Sequence, residues 1–265
     1  MSDDELLVFL VCLGAAAFFA WRALGPVLMV SPLHATPGTR YVVLGVWVVG
    51  IALVHSTLIS IAAQDVRESV TYTAFYDVMG LAWIGASVAV LRRLDLSLRD
   101  DVIERRNPAA LAAISGAIVG IALAYAGGNV GDGPGWWCVV IASGVATAAL
   151  FAVWITLYVA ARSGEAITID RDLPAGIRVG ALLAACGLVF GRGAAGDWVS
   201  ASDTIASFAL VAWPAVILVL LGIFVERALA PRGQPSRGGL GLAIGVAVVY
   251  LGAAATVVHG QGIPA

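Results

Sequence analysis

The feature that most limits what this chain can become is a series of apolar runs with no polar face on any side. A helix in a soluble domain keeps a polar stripe toward water. One that is apolar all round must be buried in lipid or in the middle of a bundle. Crossing roughly 30 Å of hydrocarbon takes about 20 residues of helix. Eight runs fit that requirement, near residues 6–24, 41–63, 70–91, 109–127, 136–161, 175–190, 205–225 and 240–258. Only 12% of the chain is charged, against about 25% in soluble domains. The sequence therefore predicts an all-α fold, a polytopic membrane helix bundle of eight transmembrane helices. The sixth run is the shortest and holds Arg178 in its first turn, from where a long side chain snorkels to the headgroups. The start, Met1-Ser2-Asp3-Asp4-Glu5, is acidic where a secretory signal is positive, so it reads as an uncleaved first helix.

The connections sort by charge. All fifteen Lys-or-Arg positions are arginine, and thirteen of them fall in or beside the connections 1–2, 3–4, 5–6 and 7–8. The other connections hold only Arg67 and Arg192. The positive-inside rule then puts the arginine-rich loops in the cytoplasm of a bacterial inner membrane and both termini outside it. Adding or losing one span would scramble this sorting, which supports an even number.

Landmarks also recur at a fixed interval, the mark of repeat architecture. Arg40, Arg106, Arg171 and Arg237 precede the even-numbered runs at spacings of 66, 65 and 66 residues. Residues 103–120 match 169–186, and Pro108 coincides with Pro174 at an offset of 66. Proline suits the first turn of a helix, where its missing N–H would be unpaired anyway. The arginine-rich loop falls in the same phase each time, so the expectation is four parallel two-helix repeats, near 1–63, 70–127, 136–190 and 205–258, in one membrane domain. Glycines four apart mark the even helices: Gly116/Gly120, Gly176/Gly180 and Gly241/Gly245. Such pairs let backbones approach closely in lipid, so the even helices are expected to form the tight interior. Trp136, Trp137 and Trp198 fall at arginine-poor ends, as in an aromatic belt.

The string Glu104-Arg105-Arg106-Asn107-Pro108-Ala109-Ala110-Leu111, followed by Gly116, Gly120 and Gly133-Pro134-Gly135-Trp136-Trp137, resembles the bacterial domain-of-unknown-function 350 membrane proteins. The likeness is good over residues 90–160 and weaker to 225. It implies a small inner-membrane protein built from two-helix units, in a setting of membrane stress and without an assigned reaction. Residues 169–190 resemble a second copy of the helix-opening part, around Arg171 and Pro174, with Leu173 where the first copy has Asn107.

Ionisable groups inside spans are costly, so they stand as functional candidates. His55 in the second run and Asp77 in the third come at matching depth on neighbouring antiparallel helices, with Tyr76, Tyr72, Ser56, Thr57 and Ser60 nearby. The pair reads either as a proton or cation relay or as a structural bond between two helices. Asn129 and Asp132, with Gly133 and Gly135, form a turn that could also touch a ligand or ion. Residues 95–104 alternate charged and apolar groups and predict an interfacial amphipathic helix. Cys12, Cys138 and Cys186 lie in apolar runs and read as small core residues.

Metal-ligand spacings, a phosphate-cradling glycine loop and a nucleophile elbow are all absent, so neither a cofactor, a metal nor a catalytic residue is predicted. His55 also lacks a histidine partner for haem, since His34 and His259 fall in loops or at ends. The expected partners are the bilayer and a second copy or another membrane protein; nothing points to nucleic acid. Two functions fit: a channel- or transporter-like component, or a non-catalytic accessory subunit that recruits a partner.

Overall fold

The computed structural model describes residues 2–29, 37–230 and 236–262; His34 and Arg232 lie outside the described residues. The described residues form ten α-helices and no strand. They are α1 (Asp3–Met29), α2 (Pro37–Ser60), α3 (Gln64–Arg67), α4 (Val70–Arg93), α5 (Pro108–Gly127), α6 (Trp136–Ala160), α7 (Leu173–Ala194), α8 (Ala201–Ala212), α9 (Pro214–Leu229) and α10 (Gly239–Gln261). Seven are long and apolar enough to cross a membrane, and α8 with α9 pass the same test only together, as a pair bent by 51° that makes either a broken eighth span or a re-entrant loop. The bend falls at Pro214, which has no N–H to donate and crowds the preceding turn. The chain is thus a polytopic helical membrane bundle.

Two rows of helices build it. In the first row α2, α5, α7 and α10 lie side by side, with α5 against α7 the most extensive contact in the molecule. In the second, α1 packs on α4, and α4, α6, α8 and α9 rest against α5 and α7. The seam between α5 and α7 runs in parallel register. A Cβ added to Gly176 would strike the Ala109 backbone, and one on Gly116 would strike the Gly180 carbonyl. Farther along, Gly187 meets Gly120 and Gly127 meets Gly191. Lipid gives helices no hydrophobic reason to associate, so close backbone contact of this kind holds them together.

Gly241 and Gly245 behave differently from expectation. A Cβ on either would meet nothing within 4 Å. α10 turns toward the bundle the face of Ala243, Tyr250 and Ala254, all buried. At about 100° per residue, positions two away from Ala243 fall on the opposite side of the helix.

The segments leading into α5 and α7 share one local geometry. Asp95 and Arg162 adopt φ of 60° and 56°, and Arg106 and Arg171 adopt 53° and 55°. Between them lie the π-helical stretches Leu98–Glu104 and Glu165–Ile169. The Asn107 N–H donates to the Asp101 carbonyl at 3.0 Å, and the Asp172 N–H to the Ala166 carbonyl at 2.9 Å. Asp172 therefore occupies the helix-opening place of Asn107, and Leu173 does not. The interfacial amphipathic helix expected over 95–104 is instead this π-helical turn. Its apolar residues Leu98, Val102 and Ile103 are buried, and the turn packs on α1 and α5. Burial against protein outweighs burial in headgroups here because α5 offers a fixed apolar wall.

Side chains stitch each of these units to the next at equivalent places. Trp154 Nε1 donates to the Leu94 carbonyl at 2.9 Å, and Arg227 Nε to the Ala160 carbonyl at 2.9 Å. Asn107 Oδ1 caps α5 by accepting from the N–H groups of Ala109 and Ala110, while its Nδ2 donates to the Ile167 carbonyl at 2.7 Å. One buried side chain thus starts a helix and ties it to the following loop.

Candidate functional site

His55 Nδ1 and Asp77 Oδ2 stand 2.8 Å apart, joining α2 to α4. The pair is not buried, however: the His55 side chain is 50% exposed on the bundle surface and Asp77 25%. α2 ends at Ser60, so His55 lies five residues from its end, roughly 8 Å at 1.5 Å per residue. The hydroxyls near it are used locally. Ser56 and Thr57 donate to the Leu53 carbonyl, Ser60 to the Ser56 carbonyl, and Tyr72 to Glu5. Back-bonding of this kind directs the hydroxyl protons of these serines and threonines into their own helix.

Three other predicted residues do converge. Tyr76, Asn129 and Asp132 line one cavity of about 50 Å³ at the arginine-poor end, together with Asp65 of α3. Neither His55 nor Asp77 lines it. The glycine-rich loop after α5 shapes the cavity. Gly131 sits at φ 115°, where a side chain would strike the Gly196 backbone, and the Gly196 N–H donates to the Val130 carbonyl at 2.8 Å. The Trp198 N–H donates to the Asp132 carbonyl at 2.8 Å, and the Asp132 N–H to Asp197 Oδ1 at 2.8 Å. Asn129 is buried. Its Nδ2 donates to the Tyr125 carbonyl at 2.8 Å, closing the end of α5, and its Oδ1 has no hydrogen-bond partner among the described residues. The lining offers oxygen atoms at a scale of one or two waters, which suits a small polar species better than an organic substrate. No group of three or more His, Cys, Asp or Glu among the described residues could hold a metal ion.

The most buried charged pair lies at the other end and was not legible as a pair. Arg178 does not snorkel: it is fully buried, and its Nε and Nη2 reach Glu226 Oε1 and Oε2 at 2.6 and 2.8 Å. Nη2 also contacts Ser236 Oγ at 3.1 Å, and Ser236 donates from its N–H and its hydroxyl to Asp172 Oδ2. α7, α9 and the turn before α10 meet through this network. Bidentate geometry makes the guanidinium–carboxylate pair strong where water is excluded. Arg178 looked like an interfacial residue because it follows the start of α7 by only five positions, but α9 and α10 cover that turn. The sequence clue was the acid Glu226 beside Arg227 at the end of a span.

Outside the spans, burial pushes the Asp100 carboxyl up, yet hydrogen bonds from Ser97 and Arg92 and the charges of Arg92 and Arg99 outweigh it and hold it below its ordinary value. Comparison with protein-family models, with curated proteins and with solved structures finds no match for this chain.

Proposed function

We infer that this protein is a non-catalytic accessory component of a membrane, one that binds and recruits and does not conduct through its own centre. The observation that carries this reading is the α5/α7 seam. Glycines set backbone against backbone from Gly176 at one end to Gly127 and Gly191 at the other, and a pore between these central helices has no room to exist. The small oxygen-lined cavity around Asn129 fits recognition of a small polar species at one end of the bundle. A bacterial inner membrane, arginine-rich loops in the cytoplasm and both termini outside belong to the same proposal, supported by the arginine sorting. So do the reading of the chain as two-helix repeats, supported by the shared turn geometry at Arg106 and Arg171, and a link to envelope stress, supported by the family resemblance of residues 104–137 alone.

A second reading, a channel- or transporter-like component, draws on the His55–Asp77 contact inside two spans. Purified protein in liposomes separates the two. An accessory subunit leaves cation and proton flux at the level of empty vesicles. Flux that rises with protein content, and falls in Asp77→Asn, overturns the accessory reading.

A further inference from the structure

The four helices of the first row end together at the arginine-poor end, and there they do not close on one another. Between α2 and α10 lies a groove of about 450 Å³ floored by α5 and α7, within the roughly 300–1,000 Å³ of small-molecule sites. On α5 its lining runs from Leu123 to Gly127, about 6 Å at 1.5 Å per residue, and continues to Val130 in the turn after the helix. Its depth is apolar, with Leu123 and Leu188 on the floor and Ala255 on one wall. Its mouth carries Arg192 and His259, and no aspartate or glutamate lines it. Arg192 donates from Nε to the Gly262 carbonyl at 2.7 Å and from Nη2 to the Gln261 carbonyl at 3.3 Å. Those bonds cap α10, and among the described residues no carboxylate forms an ion pair with Arg192. A helix end carries only about half a negative charge, so a net positive charge remains at the mouth of an apolar slot.

A molecule that fits has an apolar tail about as long as the slot and a negative head at the membrane boundary. We propose that this groove binds one acyl chain of an anionic membrane phospholipid, with the phosphate against Arg192. The groove lies beside the α5/α7 seam and does not depend on whether the protein conducts.

Native mass spectrometry of the full-length protein with added phosphatidylglycerol or phosphatidylcholine of matched chains tests this. The wild type is expected to retain one phosphatidylglycerol in preference to phosphatidylcholine. Arg192→Gln lowers that preference by about fivefold, the effect of one arginine near an anionic lipid surface. Arg192→Lys keeps it, which separates charge from helix capping. Ala255→Trp fills the slot from α10 and removes both lipids. Thr57→Phe does the same from α2, so one failed variant does not decide the matter. Equal retention of the two lipids by the wild type overturns the proposal. So does undiminished binding in both filled variants. A dimer that Ala255→Trp breaks into monomers also overturns it, because the occupant is then a second copy of the chain.

Discussion

Arg178–Glu226 joins α7 to α9 and His55–Asp77 joins α2 to α4, and the surroundings of these two acid–base pairs are opposite. Arg178 and Glu226 are 0% and 2% exposed and meet through two short bonds. His55 and Asp77 meet through one bond on the outside of the bundle. The pair that stands out in the sequence is the shallow one, because a histidine and an aspartate are conspicuous in the middle of apolar runs. The buried pair is formed by residues near helix ends, where charges are expected. Depth along a helix is readable from sequence position. Depth inside the bundle depends on which helix covers which, and that is what decides the energetics.

The sharpest way to test this contrast is to remove one partner from each pair. Glu226→Ala leaves the Arg178 guanidinium buried and uncompensated, which costs about 3–5 kcal/mol. Unfolding in mixed micelles should show that loss. Replacing both residues together, as Arg178→Met with Glu226→Leu, should restore most of it, since a well-packed apolar pair is often as stable as a buried ion pair. A double variant as unstable as Glu226→Ala alone would mean that the network through Ser236 and Asp172, and not the charge, holds α9 in place.

The glycines give the second contrast. Gly180→Val drives a side chain into the Ala112 carbonyl across the seam, and overpacking against backbone costs about 1–3 kcal/mol or more. Gly245→Ala carries the same sequence signature on an open face. It should change stability by less than about 1 kcal/mol, in the stabilising direction, because alanine favours the helix over glycine. The same micelle measurement on the two variants compares them directly. Equal destabilisation would place α10 against a partner that the isolated chain does not include.

These contrasts mark what was legible in the sequence. The positions of the apolar spans follow from run length, which is local. Gly116 and Gly245 are indistinguishable by spacing, since four-residue glycine pairs show a face and do not show what it meets. Tyr76, Asn129 and Asp132 were recognisable as polar groups at one end of the spans. The loop around that cavity is shaped by the close approach of Gly131 to Gly196, which joins residues 65 apart. The left-handed Arg106 and Arg171 left no trace at all, because only glycine advertises that conformation.

Next in size is Asn107. Asn107→Ala removes the cap of α5 and its bond to Ile167, together about 1–2 kcal/mol. Asn107→Asp keeps the cap acceptor but loses the Nδ2 donor, and it should fall between alanine and wild type. Asp172, its structural counterpart, already spends its carboxylate on Ser236, so Asp172→Ala should loosen the turn before α10 more than the start of α7. Hydrogen exchange of the two segments would distinguish these effects. The His55–Asp77 bond is smaller still. Interhelical polar contacts in membrane proteins average about 0.6 kcal/mol, so a double-variant cycle of His55→Ala and Asp77→Ala should return a coupling near that value. A coupling of several kcal/mol would mean that the pair is covered by something outside this chain.

The smallest effect is a pH dependence at Asp100, in the turn that leads to α5. Its carboxyl is held below the ordinary value, which lies near 3.9 in a free chain, once the hydrogen bonds and charges around it outweigh its partial burial. A depressed folded-state value means that the folded chain binds the proton less readily than the unfolded one. The contribution to stability is therefore complete above about pH 4 and fades as the pH falls through the folded value. Asp100 is 39% exposed and Arg92, its partner at 3.1 Å, is 42% exposed, so screening keeps the gain below about 1 kcal/mol. Stability of wild type and Asp100→Asn, measured from pH 7 to pH 3, should converge at the acid end. Curves that stay parallel would assign the acid sensitivity of this turn to another group.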